Sequence, residues 1–127
     1  HCDVGGGYPE EESGHSKLAL EWMLCEAREK GLEIDAGTAR QVLDRGDPPN
    51  PEAILHKSLK GMWRPYELFP RLSYSQGKRR PRFNVGRRRP IPEDATLHET
   101  VTIRKCTGGY DPPNLPGAFA TEPWVRF

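Results

Sequence analysis

The sequence predicts one mostly helical domain with a smaller β contribution, and three observations carry that reading. A length of 127 residues suffices for about one domain. Residues 16 to 30 show the three-and-four apolar spacing of an amphipathic helix. The 13 glycines and 13 prolines exclude a long coiled coil or one uninterrupted helical bundle.

Ser13 or Ser16 can cap the first helix. Leu20, Met23, Leu24 and Ala27 form its buried stripe, widened by Leu18 and Trp22. Glu21, Glu26 and Glu29 face away. Arg28 and Lys30 suit the C-terminal dipole, and Gly31 supplies a left-handed stop. A shorter helix covers 37 to 44, with Ala39, Val42 and Leu43 inward and Gly46 ending it. The run Asp47-Pro48-Pro49-Asn50-Pro51 forms a loop, because proline cannot continue a helix. Asn50 and Pro51 then make a cap and first-turn pair. They predict a third helix to about Met62 or Trp63, carrying Ile54, Leu55, Leu59 and Met62, with Pro65 ending it.

Tyr66 to Pro70 adds a helical turn or a short extended piece. Residues 71 to 92 lack a useful period and read as a surface loop or a hairpin turning near Asn84 to Gly86. Thr96 and Glu99 have capping-box spacing and start a helix with Leu97, Val101 and Arg104. The β-branched run Thr100-Val101-Thr102-Ile103 supports a strand instead. From Thr107 the chain is turns, then an apolar tail with Trp124 and Phe127.

Charge is distributed unevenly around a net +1. Residues 1 to 46 hold ten acids and five bases, 47 to 92 three acids and eleven bases, and 93 to 127 five acids and three bases. The balance excludes a uniformly basic or acidic protein. No apolar run approaches the roughly 20 residues of a membrane span, and none has the form of a signal peptide. Cys2, Cys25 and Cys106 form no Cys-x-x-Cys pair, so neither a disulfide framework nor a metal site is expected. The chain begins at His1 with a glycine-rich turn that no strand precedes. We expect it to be the C-terminal part of a longer protein.

The chemistry-bearing residues are few. His1 stands two residues before Asp3 and just ahead of Gly5-Gly6-Gly7, a run that lets backbone approach a substrate and offers main-chain donors. The same run also reads as a tight turn beside an ordered histidine. His56 lies two residues before Ser58 and His98 two before Thr100, so neither pair shares a helix face. A buried imidazole bonding a neighbouring carbonyl is the expectation for each, and His15 is expected to be exposed. No Gly-x-Ser-x-Gly elbow, Walker loop, dinucleotide fingerprint or His-Glu-x-x-His helix is present. Residues 78 to 89 carry seven cations, Arg87, Arg88 and Arg89 among them, with a single aromatic, Phe83. A solvated face, a lipid-headgroup surface and a nucleic-acid contact are the open readings, nucleic acid being the weakest.

The pattern resembles the C-terminal half of an α/β-hydrolase family, that of the type VI secretion phospholipase effectors of the first lipase class and their uncharacterised bacterial and fungal relatives. The resemblance rests on His1-Cys2-Asp3-Val4-Gly5-Gly6-Gly7-Tyr8, then Leu18 to Leu24 with Ala27-Arg28. His56-Lys57-Ser58-Leu59 with Trp63, Leu97-His98-Glu99-Thr100-Val101 with Arg104, and Tyr110 to Pro116 follow in order. Thr100 stands where serine is expected.

The resemblance implies an α/β fold, of which this chain is the mostly helical C-terminal portion. It also implies a serine esterase or phospholipase with a Ser-Asp-His triad and no cofactor. The serine and acid would lie upstream of His1, and their absence from this chain is a serious departure. His1 would end a central strand and serve as the triad histidine, with His98 the runner-up. Asp3 would orient His1 or fix the glycine turn through its own backbone. The partners implied are a lipid or other ester, the missing N-terminal part, and an anionic membrane met by Arg87, Arg88 and Arg89. The alternative is a non-catalytic module docking such a surface through residues 78 to 89.

Overall fold

The computed structural model describes residues 2–57, 65, 68–75, 77–83, 86 and 88–127. The chain divides into two compact units: His1–His56 with Ile91–Phe127, and Lys57–Pro90.

In the first unit, α1 (Cys2–Gly5) is a single turn, followed by a 3₁₀ turn at Glu10–Glu12 and then α2 (Gly14–Glu29) and α3 (Ala36–Asp44). Helix α2 begins where expected, but its cap is not a serine accepting a bond. Ser13 Oγ donates to the Glu10 carbonyl at 2.6 Å and Ser16 Oγ to the Ser13 carbonyl at 2.9 Å. The N-terminal charge comes from Asp47, whose Oδ2 accepts from Gly14 N–H at 3.1 Å. Gly14 permits that approach, since a Cβ there would lie 2.5 Å from the same oxygen and 2.8 Å from Ala53 Cβ. The other end closes as expected, with Gly31 at φ +88° and Leu32 N–H bonded to the Ala27 carbonyl at 3.0 Å.

The buried stripe of α2 is not the apolar one. Gly14, Lys17, Glu21 and Cys25 face inward, while Leu20 is at the exposed limit and Met23 is well exposed. Glu21 was expected outward. It is buried because its carboxylate holds the C-terminal tail, accepting from Trp124 Nε1 at 2.8 Å and from Phe127 N–H at 3.2 Å. Lys17 reaches the Glu10 carboxylate at 3.2 Å. Helix α3 starts at a true cap, with Asp35 Oδ1 accepting from Thr38 N–H at 2.8 Å. Ala39 and Leu43 are inward as expected, but Val42 is exposed. Cys25, Ala39, Leu43 and Phe127 form the core, with Leu24 and Ile34 packed on it.

The third helix predicted from Asn50 does not form over 50–57. Asn50 Oδ1 accepts from Glu52 N–H at 2.8 Å and its carbonyl from Ala53 N–H at 3.2 Å, which closes one turn and no more. Ile54 and Leu55 are consequently exposed. The remainder of that prediction, with Leu59 and Met62, lies outside the described residues. Later in the chain β3 (Thr96–His98) precedes α4 (Glu99–Gly108), and β3 pairs in parallel with β4 (Ala120–Glu122). The β-branched run at 100–103, a strand by propensity, is helical, and the helix reading holds with its start at Glu99. Thr96 and Leu97, expected at that helix's start, form the strand instead. No capping box forms, because the Glu99 carboxylate instead accepts from Trp124 N–H at 2.9 Å.

The Lys57–Pro90 unit contains an antiparallel hairpin of β1 (Arg71–Ser75) and β2 (Lys78–Arg82). The strands face each other across Ser75 and Lys78 rather than around the expected Asn84 to Gly86, and Gly77 between them has φ +72°.

Candidate functional site

Helix α2 presents a second face, His15, Leu18, Ala19 and Trp22, at the three-and-four spacing that puts residues on one side. This face walls a groove of about 310 Å³ that is also lined by Asp3, His98 and Thr100. Leu55 and Val101 extend the apolar wall, and Arg104 and Tyr110 complete the rim. Two of the site residues read from the sequence, Asp3 and His98, therefore meet in one groove although 95 positions separate them. His1 lies outside the described residues.

His98 ends β3 and is the N-cap residue of α4. Its Nδ1 shares a hydrogen bond with Thr100 Oγ1 at 2.9 Å. The expectation that a two-residue spacing keeps such a pair apart fails here. The spacing rule holds within a helix, and this pair straddles a strand–helix junction. The imidazole is half-buried and bonds a hydroxyl rather than a neighbouring carbonyl.

Asp3 does not fix the glycine turn. Its Oδ1 lies 2.7 Å from His56 Nδ1, and His56 Nε2 lies 2.9 Å from Glu12 Oε2. Tyr8 stacks on the same imidazole, with ring centroids 3.7 Å apart and planes 21° from parallel. Bonds from the Asp3 carboxylate, then from Glu12, raise the pKa of His56 above its ordinary value. The expected carbonyl partner is thus replaced by two carboxylates. The glycine run itself ends α1, with Gly6 and Gly7 at φ +76° and +132°.

His15 was expected to be exposed, but it sits half-buried inside α2 on the groove wall. Burial lowers its pKa, and the nearby Arg104 guanidinium adds to the effect. Arg104 is held by the Pro51 and Ala53 carbonyls, the latter at 2.9 Å, and lies 5.5 Å from the Tyr110 ring centroid. No sequence signal separates His15 from any histidine near a helix start. Its place follows only from the phase of α2.

The expected basic residues lie in the other unit. Arg88 and Arg89 line a cavity of about 340 Å³ together with Arg71 and Arg82. Arg87 lies outside the described residues. Arg71 escaped notice because it stands seven positions before the charge run. Among the described residues, no cluster of three or more His, Cys, Asp or Glu side chains could hold a metal ion. No helix among them is long and apolar enough to cross a membrane.

The groove combines an imidazole, a hydroxyl and a carboxylate with apolar walls. Such a set can hold a hydrophobic chain and move a proton at its polar end. Comparison with protein-family models, with curated proteins and with solved structures finds no match for this chain.

Proposed function

We propose that the chain is part of an α/β-hydrolase-like carboxylic ester hydrolase acting on lipid esters, its serine contributed by sequence upstream of His1. The observation that carries this reading is the groove in which Asp3 and the His98–Thr100 pair share apolar walls with Leu18, Trp22 and Leu55. Those walls suit an acyl chain. In the tautomer that donates Nδ1–H to Thr100 Oγ1, His98 carries its lone pair on Nε2. It can then take a proton from an attacking hydroxyl and return it to the leaving alcohol. His1, two positions before Asp3 in the sequence, is the other histidine proposed for this role.

A fluorophosphonate probe on the full-length protein tests the reading. It is expected to label a serine, and the protein to hydrolyse p-nitrophenyl or phospholipid esters. His1→Gln and His98→Gln measured side by side assign the base: its loss lowers kcat by about 10²–10⁴-fold, the other variant far less. Absence of both labelling and ester hydrolysis would end the proposal.

A further inference from the structure

In the Lys57–Pro90 unit the ladder sets Arg71 across from Arg82, Ser73 across from Arg80 and Ser75 across from Lys78. One face of the hairpin therefore gathers cations. Like charges directly opposite one another destabilise a ladder, so this face is best satisfied by a bound anion. Four arginines, Arg71, Arg82, Arg88 and Arg89, line one cavity with Ser73, and no acidic residue among the described ones lines it. Residues 57 to 90 hold eleven bases and one acid, a field that attracts anions.

The apolar residues of this unit specify the kind of anion. Leu72 lines the same cavity yet is 71% exposed, and Leu68, Phe69, Tyr74 and Phe83 are exposed as well. Leucines and aromatics beside arginines suit a bilayer interface, where apolar groups enter the acyl boundary and cations meet phosphates. Single-stranded nucleic acid would use the aromatics as stacking platforms but leaves the exposed Leu68 and Leu72 without a role. Guanidinium forks match phosphate oxygens two at a time. A cavity lined by several arginines, with Arg71 and Arg82 directly opposite each other, favours a doubly charged phosphomonoester over a singly charged diester.

We propose that this cavity binds the phosphomonoester headgroup of an anionic bilayer, with Leu72 and its exposed neighbours entering the membrane interface. The test is sedimentation of the full chain with three vesicles: phosphatidylcholine alone, or with phosphatidylserine or phosphatidic acid at matched net charge. The chain is expected to bind phosphatidic acid vesicles most strongly and phosphatidylcholine alone not at all. Each arginine near an anionic leaflet contributes roughly fivefold, so Arg71→Gln with Arg82→Gln is expected to weaken binding about 25-fold. Arg71→Lys with Arg82→Lys keeps the charge but removes the forks, and is expected to weaken it several-fold.

Unchanged binding in the glutamine pair overturns the proposal. Wild-type binding in the lysine pair overturns it too, because diffuse charge then suffices. Equal retention on phosphatidylserine removes the phosphomonoester assignment. Release of the vesicles by millimolar inorganic phosphate identifies a free-anion site instead, and displacement by a short single-stranded oligonucleotide identifies a nucleic-acid surface. The arginine substitutions are at exposed positions, and circular dichroism of each variant checks that folding is intact. Vesicle sedimentation reads this proposal and fluorophosphonate labelling reads the ester-hydrolase one, so failure of either is distinguishable from failure of the other.

Discussion

At the scale of single residues, His56 shows how a modest motif becomes a fastening. Its two ring nitrogens join Asp3 and Glu12, which lie 53 and 44 positions away in the chain. The folded-state pKa of His56 is raised. Its contribution is therefore full below about pH 6.5, the ordinary histidine value, and is lost as pH rises through the folded-state value. Groups facing the ring are Asp3, Glu12 and Tyr8. The unfolding temperature of the wild type, measured against His56→Gln, is expected to fall in the window that opens at about pH 6.5, as pH rises. A constant difference across that window would contradict the assignment. His15 runs the other way: its pKa is lowered, so its protonation costs stability as pH falls below the ordinary value. Asp3, Asp47, Arg104 and the Asn50 backbone surround it. His15→Gln is expected to flatten the acid side of the same curve. Asp3 and His98 were legible as candidate chemistry. The partners His56 and Thr100 were not, because contacts across a turn or across half the chain leave no local period.

At the scale of elements, the sequence located α2 and α3, because glycine stops and apolar spacing are local signals, and it left α4 open between helix and strand. Its errors concern facing. Leu20 and Met23 recur as a core stripe should, yet the buried line runs through Gly14, Lys17, Glu21 and Cys25. A carboxylate occupies a core position once two N–H donors from the tail reach it, and those donors lie over 100 residues away. Glu21→Ala strands both donors and is expected to cost about 2–3 kcal/mol in chemical denaturation. Glu21→Gln, which keeps an acceptor, is expected to cost less. Gly14→Ala pushes a methyl into Asp47 and Ala53 and is expected to cost about 1–3 kcal/mol. At α3, Asp35→Ala is expected to speed hydrogen exchange at the Thr38 amide, while Asp35→Ser retains protection. The false helix at 50–57 has a clear cause. Asn50 satisfied its cap bonds within one turn, and the following Ile54 and Leu55 stay exposed rather than joining a helix stripe.

For the whole molecule, the core is small. Cys25, Ala39, Leu43 and Phe127 carry it, and no described side chain is fully buried. The tail thus has a large share in stability, through the Phe127 ring under Arg28 at 4.5 Å and the Phe127 carbonyl bonded to Arg40. Phe127→Ala is expected to cost about 3 kcal/mol. A thiol reagent should modify Cys2 and Cys106 rapidly and Cys25 slowly, because Cys25 is buried and burial raises its pKa. In Phe127→Ala all three should react at similar rates. Equal rates in the wild type would show that the tail does not cover this core. Trp22 Nε1 also bonds the Glu122 carboxylate at 3.1 Å, while Trp124 Nε1 bonds Glu21 at 2.8 Å. The two indoles and their carboxylates cross between helix and tail, so undocking frees both rings at once. Intrinsic fluorescence should therefore shift to longer wavelength as the tail departs, giving an optical readout of this closure that needs no added dye.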